Sequence, residues 1–208
     1  HGVEFTLTTH NIKSAAADGF NWTTDITFAY AKNKITKLVS RSRAIDLIQG
    51  TGFALEGYPV RALFSYNFVG LDSHGVPQVI NETTGEVSKN LKYEGPVDPT
   101  ITGGFNNSFS WKGLHLNVFC TYSFGNKLRL SPDFSVAYSD LTAMPKEFKN
   151  RWVMPGDEAY TTIPVIASRR QYYADTYIGR AYSAYNYSSA RVADGGFIRL
   201  KEISLTYD

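Results

Sequence analysis

Apolar and polar side chains alternate at every second residue over stretches of about ten residues, and this pattern constrains the fold more than any other feature. The clearest stretch covers residues 20–30. One face of it carries Phe20, Trp22, Ile26, Phe28 and Tyr30, and the other carries Asn21, Thr23, Asp25 and Thr27. A period of two held over this length predicts a β-strand and not a helix.

The same alternation recurs at residues 3–12, 62–68 and 197–207, and on both sides of a Lys112-Gly113 turn within residues 101–124. Helical signals are few: AIDLIQG is long enough for one turn, and SDLTAMPKEFKNRW predicts a short helix broken by Pro145. Aromatic residues, which favour strands, make up 14% of the chain. The sequence therefore predicts an all-β, antiparallel fold with long excursions between strands.

Strand length and loop length bear on what the apolar faces meet. Strands of about ten residues fit tilted transmembrane strands better than the strands of soluble sandwiches, which average about 5–6 residues. Membrane barrels alternate short periplasmic turns with long external loops. Here the alternation is complete only if residues 76–80 form a further crossing, which gives about seven strands. The alternation alone leaves lipid and a protein core open, and the lengths favour lipid.

The sequence offers no signature of an enzyme, a cofactor site or a metal site. Glycines at GxGxxG spacing, a Walker-type loop, HExxH and GxSxG are all missing, and the 4 histidines lie far apart in the sequence. The single cysteine excludes an internal disulfide and a multi-cysteine metal site. A net charge of +2 with dispersed Lys and Arg does not indicate a nucleic-acid partner.

Residues 128–196 show no sustained period and exceed the usual length of a loop several-fold. They contain charged and aromatic residues that are candidates for contact with a substrate or a lid protein: Arg151, Trp152, Asp157, Glu158, Arg169 and Arg170. The arginines and the tryptophan have the chemistry to stack on sugar or peptide. Solvated loop residues and a polar turn are the simpler interpretation.

Specific stretches carry a family resemblance beyond these patterns. They are ALEGYPVRALFSYNFVGLDSHGVPQVIN, YEGPVDPTITGGFNNSFSWKGLHLNVFCTYSFGNKLRL, NRWVMPGDE and YNYSSARVADGGFIRLKEISLTYD, in that order. Together they resemble the C-terminal part of the barrel in SusC/RagA-like TonB-linked outer-membrane transporters, from about Val3 to Asp208. The ending of the form NxSxxRVADGxFIRLKxISLTY is the most specific part.

The resemblance implies a segment of one plugged barrel of about 22 strands, in the outer membrane of a Gram-negative bacterium of the Bacteroides type. Residues 1–208 would then be an internal segment that lacks the plug domain and the final strands, with residues 128–196 as a long extracellular loop region. Such proteins import glycans or peptides under a SusD-like surface lipoprotein. They are powered by TonB, which would act through the missing N-terminal region.

If the apolar faces of the strands meet lipid, the alternation also predicts which side chains face lipid and which face the lumen. The lipid-facing residues are predicted to be Phe20, Trp22, Ile26, Phe28, Leu114, Leu116, Val118, Ile203 and Leu205. Asn21, Thr23, Asp25, Asn117, Thr121, Glu202 and Ser204 are predicted to face a polar lumen. Arg199 and Lys201 break the apolar phase of the last strand, and we expect them at its outer end, above the hydrocarbon.

A second function remains possible on the sequence alone. A soluble all-β carbohydrate-binding module would use Tyr and Trp as stacking platforms, and nothing in the composition excludes it.

Overall fold

The computed structural model describes residues 1–16, 18–39, 42–49, 54–80, 91–135 and 143–208. Within these residues no helix is long and apolar enough to cross a membrane. The strands, in chain order, are β1 (Gly2–Ile12), β2 (Asn21–Ala31), β3 (Ala62–Leu71), β4 (Pro77–Ile80), β5 (Leu91–Pro96), β6 (Ile101–Trp111), β7 (Leu114–Phe124), β8 (Lys127–Arg129), β9 (Val192–Asp194) and β10 (Phe197–Tyr207). The helices are α1 (Ala44–Gln49), α2 (Arg169–Ala174) and α3 (Tyr177–Asn186).

The main element is a five-stranded antiparallel sheet with the order β1-β2-β6-β7-β10. Each of its strands is 11 residues long. These strands coincide with the predicted stretches at residues 3–12, 20–30, 101–124 and 197–207, so the all-β antiparallel prediction is confirmed. The strands follow one another in space in the order of the chain, as in a wall built by successive up and down crossings.

The prediction that residues 62–68 and 76–80 cross in the same wall is wrong. They fall in β3 and β4, which pair with β5 in a separate three-stranded sheet of order β4-β3-β5. Leu63, Phe64 and Ser65 are consecutive and all buried, so this part of β3 has protein on both faces. β2 pairs directly with β6, and short and long connections alternate over five strands without any further crossing.

Two local features hold the register of the large sheet. Lys112 and Gly113 join β6 to β7 with φ values of 47° and 79°, the positive values that a two-residue type I′ hairpin turn requires. Further along the same hairpin, the Tyr122 hydroxyl passes over Gly103 and donates a hydrogen bond of 2.9 Å to the Thr27 carbonyl of β2. A side chain at position 103 would meet that ring, because a Cβ built there lies 2.5 Å from the Tyr122 hydroxyl oxygen.

Both long connections leave the sheet at the same end, where Tyr30, Ile101 and Phe124 are paired. The described parts of residues 32–100 and 125–196 pack together into one body, which we call the loop layer. The Tyr66 N–H donates to the Tyr187 carbonyl at 3.1 Å. The Phe68 and Tyr185 rings meet edge to face, with centroids 5.5 Å apart.

The loop layer has its own hydrophobic core. Its buried members are Val76, Phe134, Phe148, Ala167, Ile178, Ala181, Tyr182 and Tyr185. The two tyrosines of this core, Tyr182 and Tyr185, lie on α3, and their hydroxyls form hydrogen bonds inside the layer. The Tyr185 hydroxyl donates to the Thr162 carbonyl at 2.9 Å. Burial raises the pKa of Tyr185 to about 12, so it stays a neutral donor. The described part of residues 128–196, the region predicted as a long extracellular loop, is therefore a folded body with helices and short strands.

Gly75 lies at a tight point of this core. Its φ of +74° is left-handed, and a Cβ there would lie 2.5 Å from the Trp152 ring. Gly57 has a comparable φ of +91° but no atom within 4 Å of such a Cβ.

We predict that Gly75→Ala destabilises the loop layer by about 1–3 kcal/mol more than Gly57→Ala. Both variants carry the cost of a left-handed alanine, and only Gly75→Ala also forces the Trp152 ring to move. Hydrogen exchange of the loop-layer amides in the purified protein measures the difference. Equal loss of protection in the two variants would contradict the packing described here.

Candidate membrane-facing wall and external loop surface

The strand register gathers the predicted lipid-facing side chains on one face of the large sheet. Paired residues of neighbouring strands share a face, and one continuous row runs from Trp22 through Phe109 and Leu116 to Leu205. Phe20 precedes β2 and stacks on Phe109, with ring centroids 6.3 Å apart. The other members of this face from the predicted set are Ile26, Phe28, Leu114, Val118 and Ile203.

This apolar face has no protein cover among the described residues. Ile203 remains 61% exposed and Leu205 65% exposed. The buried core lies in the loop layer and contains no residue of the large sheet. An uncovered apolar face of this extent requires another medium or partner.

The opposite face is polar and partly bonded to itself. Thr8 Oγ1 donates to Asp25 Oδ1 at 2.7 Å, between β1 and β2. Ser108 Oγ donates to Asn117 Oδ1 at 3.0 Å, between β6 and β7. The predicted lumen residues lie on this face: Asn21, Thr23, Asp25, Asn117, Thr121, Glu202 and Ser204.

Arg199 is the third residue of β10, toward the end where the long connections leave the sheet, and a β-bulge determines which face it occupies. Leu200 pairs with Cys120 and Glu202 with Phe119, so Lys201 is an extra residue in β10. The bulge reverses the facing of the strand at that point. Arg199 lies opposite Thr121 on the polar face, with its guanidinium 4.9 Å from the centroid of the Phe197 ring.

Trp152, a candidate platform for sugar or peptide, is not available for stacking. It is 8% exposed, covers Gly75, and donates from Nε1 to Glu158 Oε2 at 2.9 Å. The structure therefore assigns Trp152 to the core of the loop layer.

The two acidic candidates hold the turn that follows Trp152. Asp157 Oδ2 accepts from the backbone N–H groups of Val153 and Met154, at 2.9 and 3.0 Å. Glu158 Oε2 also accepts from the Gly156 N–H at 2.9 Å. The hydrogen bond from Trp152 is the main cause that lowers the pKa of Glu158, so this carboxylate stays ionised. The simpler interpretation of PGDE as a polar turn fits this geometry.

The three arginine candidates are exposed. Arg151 donates back to the Phe148 carbonyl at 3.1 Å. Arg169 and Arg170 open α2 behind a capping box formed by Ser168 and Gln171. Their contact with a substrate or lid stays a prediction. Within the described ranges, no group of three or more His, Cys, Asp and Glu residues is arranged to hold a metal ion.

Arg191 is a structural centre that the sequence patterns did not single out. Its side chain is only 2% exposed, and two acids compensate its charge. The guanidinium nitrogens lie 2.6 Å from a Glu147 carboxylate oxygen and 3.6 Å from an Asp133 carboxylate oxygen. It also donates to the Ser131 carbonyl at 2.8 Å and lies over the Phe134 ring. Arg191 thereby joins three segments of the second long connection.

Arg129 joins the two long connections to each other. Its guanidinium donates to the Phe64 carbonyl of β3 at 2.6 Å and lies 5.4 Å from the Tyr187 ring centroid. Burial lowers the pKa of Arg129, because removal from water disfavours the charged form of its side chain. The outer ends of β2, β6, β7 and β10 are therefore linked through one bonded body.

We predict that Arg191→Met destabilises the loop layer by about 3 kcal/mol, because Glu147 and Asp133 lose the cation that compensates them. Local opening should rise on the order of 100-fold, measured as the rate of limited proteolysis within residues 143–196. Arg180→Met is the matched control, since Arg180 is exposed on α3 and has no ion pair among the described residues. Equal cleavage rates in the two variants would contradict a structural role for Arg191.

This architecture is similar to parts of known proteins. No family model matches the chain. A TonB-dependent receptor P3 from Formosa agariphila is 23% identical over 232 residues, an alignment that covers 100% of this chain and 21% of that protein. The solved RagAB peptide transporter matches with a TM-score of 0.66 and 21% identity, over 99% of this chain and 22% of its own. The RagAB importer in its closed-closed state gives a TM-score of 0.66 and 22% identity.

The chain thus spans about a fifth of the length of the relatives it matches. The match extends over the whole chain and agrees with the sheet and loop arrangement described above. The predicted partial barrel fold and the outer-membrane location are confirmed. The chain resembles, from end to end, one part of a TonB-dependent outer-membrane transporter of the SusC/RagA type.

Proposed function

We propose that this chain supplies five neighbouring strands of the barrel wall, and part of the external surface, of an energised outer-membrane importer for glycans or peptides. The observation that carries the proposal is an uncovered apolar face on strands of 11 residues, with both long connections at one end. Strands of about 9–11 residues have the length to span a bilayer. The likeness to a TonB-dependent receptor supports the same conclusion.

The orientation follows from loop length. Short turns lie on the periplasmic side of such barrels and long loops outside. The Lys112-Gly113 turn is then periplasmic, and the loop layer faces the cell exterior. Residues 128–196 are the largest part of that external surface.

The polar face supports a lumen that passes polar, uncharged groups. Hydroxyl and amide side chains dominate it, and its charged residues are Glu4, Asp25, Glu202 and Arg199. Such groups exchange hydrogen bonds with sugar hydroxyls and with peptide amides alike. The comparison with RagAB, which is named a peptide importer, gives peptides as the first class to test, with glycans beside them.

A SusD-like lipoprotein is the proposed partner of the loop layer. The loop layer exposes aromatic and apolar side chains as well as Arg169 and Arg170. Tyr160 is 93% exposed and Tyr173 is 79% exposed. Aromatic residues and arginine are the types that anchor protein interfaces. Energy from TonB is proposed for the whole importer, with no residue of this chain assigned to it. We propose no catalytic role.

The alternative of a soluble carbohydrate-binding module does not fit this architecture. A sandwich buries the inner face of each sheet against the other. Here the apolar face of the large sheet stays exposed, and Trp152 is buried instead of displayed as a platform.

We predict that Val118→Lys destabilises the membrane-inserted protein by about 2–4 kcal/mol, whereas Asn117→Lys costs little. A lysine at position 118 would place its charge in hydrocarbon, while a lysine at position 117 would place the same charge in the lumen. Reversible unfolding of the whole protein from lipid vesicles by denaturant gives both values. Equal costs would contradict the proposed facing.

The partner surface has its own test. We expect Arg169→Glu combined with Arg170→Glu to reduce the amount of surface lipoprotein that copurifies with the importer by about tenfold, because charge reversal at an interface repels the partner. Lys13→Glu, at the opposite end of the sheet, is the control. Copurification that is unchanged in the double variant would remove these arginines from the lid interface.

A further inference from the structure

A cation on the polar face of the large sheet lacks a polar partner within the described part of the chain. Arg199 is exposed and lies opposite Thr121, in a row of paired residues that continues with Gly104 and Thr27. Its guanidinium lies over the Phe197 ring but forms no ion pair and no hydrogen bond with any described residue. An arginine side chain has five N–H donors. All of them remain without a protein acceptor here.

The acids on the same face lie too far from Arg199 to neutralise it. Glu202 is three residues further along β10, which is about 10 Å in an extended strand. Asp25 lies on β2, three strand spacings or about 14 Å away, and Glu4 on β1 is one spacing further. Arg199 is therefore an uncompensated positive charge at this surface, and such a charge attracts an anion from solution.

Two aromatic rings flank this charge. Phe197 lies further out on the same face and stacks with the guanidinium, with 4.9 Å between the guanidinium carbon and the ring centroid. On the inner side, the Phe119 ring leans over Gly104, since a Cβ built there would lie 3.1 Å from Phe119 Cε2. A guanidinium stacked on a ring keeps its N–H edge for an acceptor in its own plane. Apolar neighbours also lower the local dielectric, which strengthens a hydrogen bond to an anion.

The shape of a single guanidinium favours one kind of anion. Its planar fork donates two parallel hydrogen bonds, which match the two oxygens of a carboxylate. Arg199 is the third residue of β10, near the end where the long connections leave the sheet. A carboxylate that enters from the side of the loop layer therefore meets this arginine before it meets the deeper part of the polar face.

The row below Arg199 distinguishes between possible carriers of that carboxylate. Glu202 and Asp25 lie in this row, joined through Phe119 and Asn106, and neither acid has an ion pair among the described residues. A peptide bears an ammonium at the end opposite its carboxylate and so matches charges of both signs. An acidic sugar has no cation for the two acids. The distance of about 10 Å from Arg199 to Glu202 is the span of about three extended residues.

We propose that Arg199, stacked on Phe197, binds the C-terminal carboxylate of an oligopeptide at the outer rim of the lumen, with the amino end of the peptide directed toward Glu202 and Asp25. The inference rests on the proposed function, because it requires the polar face to line a lumen. It deepens that function by naming the end of the substrate that this wall recognises. The uncharged amides of the peptide suit the hydroxyl and amide side chains of the same face.

The experiment compares substrates that differ only at the carboxylate. The whole importer, purified in detergent, is dialysed against mixed tetrapeptides of alanine, glycine, serine and leucine that end in a free carboxylate or in a carboxamide. Mass spectrometry of both compartments gives the dissociation constants. Tetragalacturonic acid and its methyl ester form a second pair, with the carboxylate on a sugar. Uptake of the same probes by cells that carry the importer tests the proposed function separately.

The variants separate charge from geometry. Arg199→Met removes the charge, and Arg199→Lys keeps it without the planar fork. Lys13→Met is the matched control, since it removes a positive charge from an exposed residue at the short-turn end of the sheet.

We expect the unaltered importer to bind the free-acid peptides about ten- to hundredfold more tightly than the amides, the worth of a hydrogen bond to a charged group. Arg199→Met should lower the affinity for the acids to that for the amides and leave the amides unchanged. Arg199→Lys should retain part of the preference, and Lys13→Met should match the unaltered importer.

Equal binding of acids and amides by the unaltered importer would overturn the proposal. An equal loss of both in Arg199→Met would overturn it too, because Arg199 would then support the structure of the importer instead of a carboxylate. A preference for the acidic sugar over its ester that depends on Arg199, with none among the peptides, would make a sugar the carrier. The proposed function survives each of these results, whereas uptake of none of the probes by cells would overturn the importer and the site together.

Discussion

Backbone pairing between neighbouring strands sets the register on which both faces of the sheet depend. Because side chains alternate with a period of two, a slip of one residue would exchange the apolar face with the polar one. The type I′ turn at Lys112-Gly113 fixes the register between β6 and β7. The bond from Tyr122 to the Thr27 carbonyl ties β7 to β2 across the intervening strand. Bulges at Asn11 and Lys201 correct the phase where the sequence departs from it.

The loop layer serves the wall by linking its outer strand ends. A long connection without structure would leave these ends free to move apart. Here Arg129 joins the first connection to the second, and Arg191 gathers segments of the second around a buried charge. Tyrosines of α3 pack against Val76, which belongs to the first connection. The result is a formed external surface on which exposed tyrosines and arginines stand at defined places.

The sequence could predict the wall because each strand carries its own signal. Eleven residues of alternation identify β2 or β7 without any knowledge of their partners. It could not separate β3 from the wall, since this partly buried strand of 10 residues has the same period as a membrane strand and nearly the same length. The bulge at Lys201 was also hidden: a single inserted residue shows only as a broken pattern, and the partner strand is needed to interpret it.

The candidate contact residues show a second limit of sequence reasoning. Trp152 and Arg169 have equal claim to a ligand when only residue type is known. Burial separates them, because Trp152 fills the space over Gly75 while Arg169 stays in solvent. Arg191 lies in the most specific motif of the chain, but the motif does not reveal its ion pairs, since the acids that pair with it lie 44 and 58 residues away. Long-range packing of this kind becomes visible only in three dimensions.

The central claim is that one face of the sheet meets lipid and the other an aqueous lumen. A nitroxide scan along β7, from Leu114 to Phe124, in the reconstituted protein tests it most directly. If this face meets lipid, collision with oxygen peaks at Leu116, Val118 and Cys120, and collision with an aqueous nickel complex peaks at the residues between them. Low collision rates with both reagents at Leu116, Val118 and Cys120 would show a face covered by protein, and the wall would then not face lipid.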